Sequence, residues 1–275
     1  MIASTTALGD AWIDPRVWET HPDYVALLLT ADGLAGRPEQ ARGDDALVAA
    51  ENAAVDLLDG RAPEDLAEIA VWRAAFASFG VKPRVARSSV EALLRRCAVG
   101  LPRIEPLTDI YNAVSVQHLV PIGGEDLDGY DGPPRLVVAE GTETFDTVAD
   151  GDATVHLADA GEVVWRDDTG VTCRRWNWRQ CTRTRLTAQT TRALFIVDGL
   201  GEGAADRVSA AADALEAHLR HGWPSAVRRP PASTHHLAGR TRVERLSDRQ
   251  ASLTTAYQMR SATRASRSPI SRVRR

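Results

Sequence analysis

Residues 172–184 read Thr-Cys-Arg-Arg-Trp-Asn-Trp-Arg-Gln-Cys-Thr-Arg-Thr and concentrate the side chains best able to hold a ligand. Trp176 and Trp178 stand one residue apart, with Arg174, Arg175 and Arg179 around them. In a strand, successive side chains point to opposite faces. Arg174, Trp176 and Trp178 would then share one face, and Arg175, Asn177 and Arg179 the other. A guanidinium donates two parallel hydrogen bonds to a carboxylate or phosphate. Arg175 and Arg179, with the Asn177 amide between them, therefore suit an anion. Burying unpaired guanidiniums is costly, whereas burying indoles is stabilising. The cationic face is thus expected to be the ligand side and the tryptophan face mainly core, with surface ion pairing of the arginines as the alternative. A second stretch, Pro121-Ile-Gly-Gly-Glu-Asp126, reads as a tight exposed turn. Gly123 and Gly124 there would let the backbone come close to a ligand.

Other chemistry finds little support. Cys97, Cys173 and Cys181 are the only cysteines, odd in number and without CxxC spacing. Three reduced thiols are expected, with no disulfide framework and no metal site. The seven histidines form no HExxH. Neither GxxxxGK[ST] nor GxGxxG occurs, which argues against ATP-driven ligation by this chain, and no cofactor is expected. The longest apolar run, about Tyr24 to Leu29, is far short of the roughly 20 residues of a membrane span. No signal peptide is evident, and a cytoplasmic protein that does not enter the membrane is expected. Nothing bears on oligomeric state.

The net charge of −4 over 275 residues conceals an asymmetry. From Leu237 onward there are ten arginines against two acids, a net +8, which leaves −12 on the rest. An acidic body argues against indiscriminate polyanion binding over its whole surface. The basic end has few large apolar residues and is expected to be disordered.

The positioning elements follow from periodicity. A buried strand is expected over Tyr24–Thr30. Helices are expected around Leu47–Leu58, Leu66–Phe79, Asp109–Leu119 and Val208–Leu219. Ser88 followed by Glu91 marks a further helix start. Short strands are expected over 135–139, 153–158, 163–167, 171–178 and 193–197, with Thr169-Gly170 as a hairpin turn. Helices, then strands, then a helix give an α+β fold. Three regions are expected: an N-terminal extension (1–60) packed on the core, the main domain (61–229), and the basic tail (230–275).

Several of these segments resemble a known family in order and content. They are Ser89-Val-Glu-Ala-Leu-Leu-Arg-Arg96, Asp109-Ile-Tyr-Asn-Ala-Val-Ser115, Pro121-Ile-Gly-Gly-Glu-Asp126, Cys173-Arg-Arg-Trp-Asn-Trp-Arg179 and Leu194-Phe-Ile-Val-Asp-Gly199. They resemble the B3/B4 domain of the phenylalanyl-tRNA synthetase β subunit, and most of all the free-standing proteins made of that domain. The similarity spans about Arg84 to Leu200. It implies an α+β fold with a β-sandwich-like core flanked by helices. In the synthetase the domain hydrolyses tyrosine wrongly attached to the phenylalanine tRNA. Asn112, Pro121 and Asp126 match the synthetase segments, while Gly123 stands where those have histidine.

The resemblance implies tRNA or aminoacyl-tRNA as partner. A trans-acting deacylase would need a positioned water, a proton acceptor and oxyanion donors. Glu125 and Asp126 are the candidate catalytic acids. Asn112, Gly123, Gly124, Arg175, Asn177 and Arg179 are the candidate substrate-binding residues. The loss of the histidine lowers the enzymatic reading. The alternative is a noncatalytic module that holds an amino acid or small anion with the same arginines.

Overall fold

The computed structural model describes residues 10–34, 36, 43–149 and 151–224, and the backbone of 235–238 and 244–245. Among the described residues, two five-stranded sheets and six α-helices build the fold. In chain order the elements begin with β1 (Trp12–Ile13), α1 (Pro15–Thr20), β2 (Val25–Asp32), α2 (Gly43–Leu58), α3 (Ala67–Ser78), α4 (Ser89–Leu94) and α5 (Pro106–His118). There follow β3 (Ile122–Asp126), β4 (Arg135–Val138), β5 (Thr144–Ala149), β6 (Asp152–Leu157), β7 (Val163–Arg166), β8 (Val171–Arg174) and β9 (Arg179–Gln180). The last elements are β10 (Arg192–Gly199), α6 (Ala204–Gly222), β11 (His235–Ala238) and β12 (Glu244–Arg245).

One sheet runs β12-β11-β2-β10-β3 and the other β1-β4-β7-β8-β9, while β5 and β6 form a separate hairpin. β10 is the hub of the first sheet. It pairs antiparallel with β2 on one side, Phe195 facing Leu29, and with β3 on the other, Leu194 facing Glu125. β10 is buried on both faces, which its near-continuous apolar run requires. Ala193, Phe195 and Val197 pack with Ile110, Tyr111 and Val114 of α5 and with Val208 and Leu215 of α6. Leu194 and Ile196 point the other way, toward Leu136, Val163 and Trp165 of the second sheet. The layers are therefore helix, sheet, sheet, an α+β architecture with a β-sandwich core.

Local chemistry explains the helix ends. The Glu105 carboxylate accepts from the backbone N–H groups of Thr108 (2.6 Å) and Leu107 (3.2 Å), and Pro106 opens α5 where its missing N–H is harmless. This places the start of α5 three residues before the expected one. Leu119, with φ of 55°, closes it. Ser88 caps α4 by accepting from the Glu91 N–H. The Glu91 carboxylate instead turns to Arg73 and Arg95, at 2.7 and 3.0 Å, so the second half of a capping box is not made.

Of the 1–60 region, β2 sits between β10 and β11, and α2 packs through Leu47, Ala50 and Ala54 against Ala113 and Val116 of α5. Most of the tail lies outside the described residues, the expectation of disorder with it. The backbone of β11 pairs antiparallel with β2. No helix among the described residues is long and apolar enough to cross a membrane.

Candidate functional site

The Pro121–Asp126 stretch is not an exposed turn. Ile122–Asp126 form β3, an edge strand of the first sheet. The two glycines are demanded by close neighbours rather than by a bend. A Cβ on Gly124 would stand 2.7 Å from the Tyr111 ring and 2.8 Å from Leu186. One on Gly123 would stand 3.2 Å from the Gln180 side-chain nitrogen, and Gln180 donates to the Gly124 carbonyl at 2.8 Å. Gly123 and Gly124 thus let β3 press between α5 on one face and β9 on the other.

Strand alternation sends Glu125 and Asp126 to opposite faces. Glu125 is 1% exposed and lies between the sheets. Its carboxylate accepts from the Tyr130 hydroxyl (2.5 Å) and the Thr184 hydroxyl (3.1 Å), and Tyr130 also reaches Thr172 at 3.3 Å. Burial pushes its carboxyl up to about 7, although the bonds from Tyr130, Thr184 and Thr172 favour the charged form. Asp126 is occupied locally. One oxygen accepts from the Asp128 N–H (2.9 Å) and the other from the Thr190 hydroxyl (2.6 Å). Both carboxylates are therefore held by protein donors.

The expected strand 171–178 is interrupted. β8 ends at Arg174 and β9 begins at Arg179, and the residues between form a turn. Arg175 and Trp176 carry φ of 48° and 66°, left-handed values rare for side-chain-bearing residues. The turn breaks the alternation, so the two-face reading of 174–179 does not hold. Trp176 does go to the core, fully buried, with edge-to-face contacts to Tyr24 (4.8 Å) and Trp72 (5.4 Å). Asn177 is buried as well, not on a ligand-facing surface, and donates to Asp198 at 3.3 Å.

Trp178 behaves differently from Trp176. It is only partly buried, and the guanidiniums of Arg175 and Arg179 sit 4.4 and 4.6 Å from its ring centroid. Arg179 is exposed. Arg175 is largely covered and reaches Asp159 (3.5 Å) and Glu162 (3.8 Å) rather than Asp167, which takes Arg183 at 2.7 Å. An aromatic ring with cations against it, at the surface, can stack a base or hold an anion.

Asn112 is set apart from this cluster. It lies on α5, the helix packed on the opposite face of β3 from the second sheet. Its amide, 8% exposed, bonds no other described residue. The structure therefore brings β3 against Gln180 of β9, the residue that follows the 175–179 turn, and leaves Asn112 across the sheet.

Asp198 was not singled out from the sequence. It is buried between the sheets, accepts from the Tyr24 hydroxyl (2.6 Å) and from Asn177, and burial raises its carboxyl to about 7. An acid inside the apolar run Leu194–Gly199 was the available signal. Cys97, Cys173 and Cys181 are free and buried, and among the described residues no cluster of His, Cys, Asp and Glu could hold a metal ion.

The B3/4 domain family matches residues 71–221 of the chain. Among solved structures the chain is similar to an N-terminal fragment of the phenylalanyl-tRNA synthetase β subunit from Pyrococcus horikoshii. That similarity has 11% identity and a TM-score of 0.41, and covers 77% of this chain and 48% of that one. No curated protein matches.

Proposed function

The chain belongs to the B3/4 domain family, and from that premise we propose that it binds the 3′ end of a tRNA, charged or uncharged, without hydrolysing it. The observation that carries the reading is the Arg175–Trp178–Arg179 cluster at the surface. A terminal base would stack on the Trp178 ring in place of the exposed Arg179 guanidinium, which would then meet a phosphate. Stacking tolerates any base, so the site recognises an end rather than a sequence. The acidic body keeps the contact local. The binding reading is favoured over the catalytic one because both Asp126 oxygens accept from protein donors and one Glu125 oxygen accepts from both Tyr130 and Thr184 in a buried setting.

A second reading, a deacylase acting in trans, has one observation in its favour. A carboxyl near 7, as Glu125 has, is matched to proton transfer at neutral pH. It requires Tyr130 to move and admit water.

One experiment separates the two. Charged and uncharged tRNAs are titrated onto the protein while the ester is followed in the same samples. Binding with a stable ester is expected. Loss of the ester with wild-type protein, abolished in Glu125→Gln, would make the second reading correct. Absence of binding to either tRNA would remove both.

A further inference from the structure

The β5–β6 hairpin carries an edge that nothing else in the fold explains. Among the described residues β6 pairs only with β5, and five of its six residues are exposed. β5 is anchored to the body by Phe145 and Thr147, both buried. The register sets Phe145 opposite His156, Thr147 opposite Thr154 and Asp146 opposite Val155. Alternation then places Val148, Ala153, Val155 and Leu157 on the outward face. Val148, Val155 and Leu157 are 47%, 62% and 56% exposed.

The hydrogen-bond phase of this hairpin is fixed by two bonds. The Ala158 N–H donates to the Glu143 carbonyl at 2.9 Å across the pair just below β6. The Thr182 N–H donates to the Asp146 carbonyl at 3.1 Å, so Asp146 directs its backbone away from β6. In an antiparallel ladder, bonded and non-bonded pairs alternate. Phe145/His156 and Thr147/Thr154 are therefore bonded pairs. Ala153, Val155 and Leu157 turn their N–H and C=O groups to the open edge. The three residues with outward backbone groups are thus the three whose side chains form the outward apolar row.

That coincidence makes the strand complementary to itself. We propose that two copies of this chain associate by antiparallel pairing of their β6 edges about a two-fold axis at Val155. In this register Val155 meets its own symmetry mate, and Ala153 meets Leu157. Each of these pairs exchanges both backbone bonds, and the apolar rows of the two copies merge into one. On the other face Thr154 meets His156, so no two acids oppose each other. The result is a four-stranded sheet with a closed, isologous contact. The absence of edge protection supports this occupant. Monomeric proteins blunt such edges with charged side chains, proline or bulges, and the outward positions Ala153, Val155 and Leu157 of β6 carry none of these.

The test is sedimentation equilibrium of the full chain over a wide concentration range, with two variants. Wild type is expected to show a reversible monomer–dimer equilibrium. Val155→Pro removes an outward N–H that the fold does not use, so it should keep the melting temperature and be monomeric. Val155→Cys should be crosslinked between copies by a short bis-maleimide, since directly opposed bonded residues lie about 5.5 Å apart between Cα atoms. A wild type that is monomeric throughout, or a dimer that survives Val155→Pro with its fold intact, would overturn the proposal. Failure of Val155→Cys to crosslink in a sample shown to be dimeric would overturn the register.

Discussion

The two tryptophans of the 175–178 turn divide between stability and binding. Trp176 is fully buried against Tyr24 and Trp72. Trp176→Ala should lower stability by about 3–5 kcal/mol, as large aromatic truncations in a core do, measured as a shift in denaturation midpoint. Arg179→Ala removes an exposed side chain and should leave the midpoint within about 0.5 kcal/mol. The two buried acids make a different prediction. Glu125 binds its proton more tightly in the folded protein, near 7, than its ordinary value of 4.5. Its contribution to stability is therefore complete below about pH 4.5 and is lost as pH rises through 7. Asp198, also raised to about 7, acts in the same direction. Glu125→Gln should flatten this part of the profile, so that the variant gains relative to wild type between pH 5 and 8. Superimposable profiles would show that Glu125 ionises as it does in the unfolded chain. At this scale the sequence disclosed the residue types but not their partners. Nothing in Arg-Arg-Trp-Asn-Trp-Arg tells which indole is inside, because that depends on the left-handed backbone at Arg175 and Trp176.

Elements were more legible than residues, and their failures share a cause. The helices over 43–58, 67–78 and 204–222 follow from apolar periodicity, and α4 from its Ser88 cap. The hairpin turn at Thr169-Gly170 joins β7 and β8 as its composition suggests. β3 was hidden because Gly-Gly reads as a turn by local preference. Here the tertiary context decides, since Tyr111 and Leu186 approach Gly124 too closely for a Cβ and Gln180 closes in on Gly123. Gly124→Ala should accordingly destabilise by about 1–3 kcal/mol, an overpacking effect. Gly123→Ala should be milder, because only the end of the flexible Gln180 side chain must give way. Thermal or denaturant unfolding of the pair checks the order, and equal effects would mean that β3 is less tightly clamped than its contacts indicate.

At the scale of the molecule, a sheet sandwich covered by α5 and α6 holds the surface cluster of Trp178 on one turn between two strands. The α+β class and the family were legible from the order of the segments Ser89–Arg96, Asp109–Ser115 and Pro121–Asp126, which fall inside the family match over 71–221. The candidate site was legible only in part. β3 meets Gln180 of β9, next to the 175–179 turn, while Asn112 stands across the sheet and Asn177 is spent on Asp198. The basic chain end is expected to add an electrostatic contribution to the proposed RNA binding. Truncation after Arg245, which keeps β11 and β12 and removes seven arginines, should weaken tRNA binding and flatten its salt dependence, with the change in slope of affinity against salt as the readout. The most direct test of the central claim is the affinity of tRNA for wild type against Trp178→Ala at fixed salt, with folding verified by an unchanged melting temperature. Loss of one stacked base, about 1–3 kcal/mol, predicts binding weaker by roughly 5- to 150-fold. Undiminished binding by a folded Trp178→Ala protein would contradict the assignment of this cluster to the RNA end.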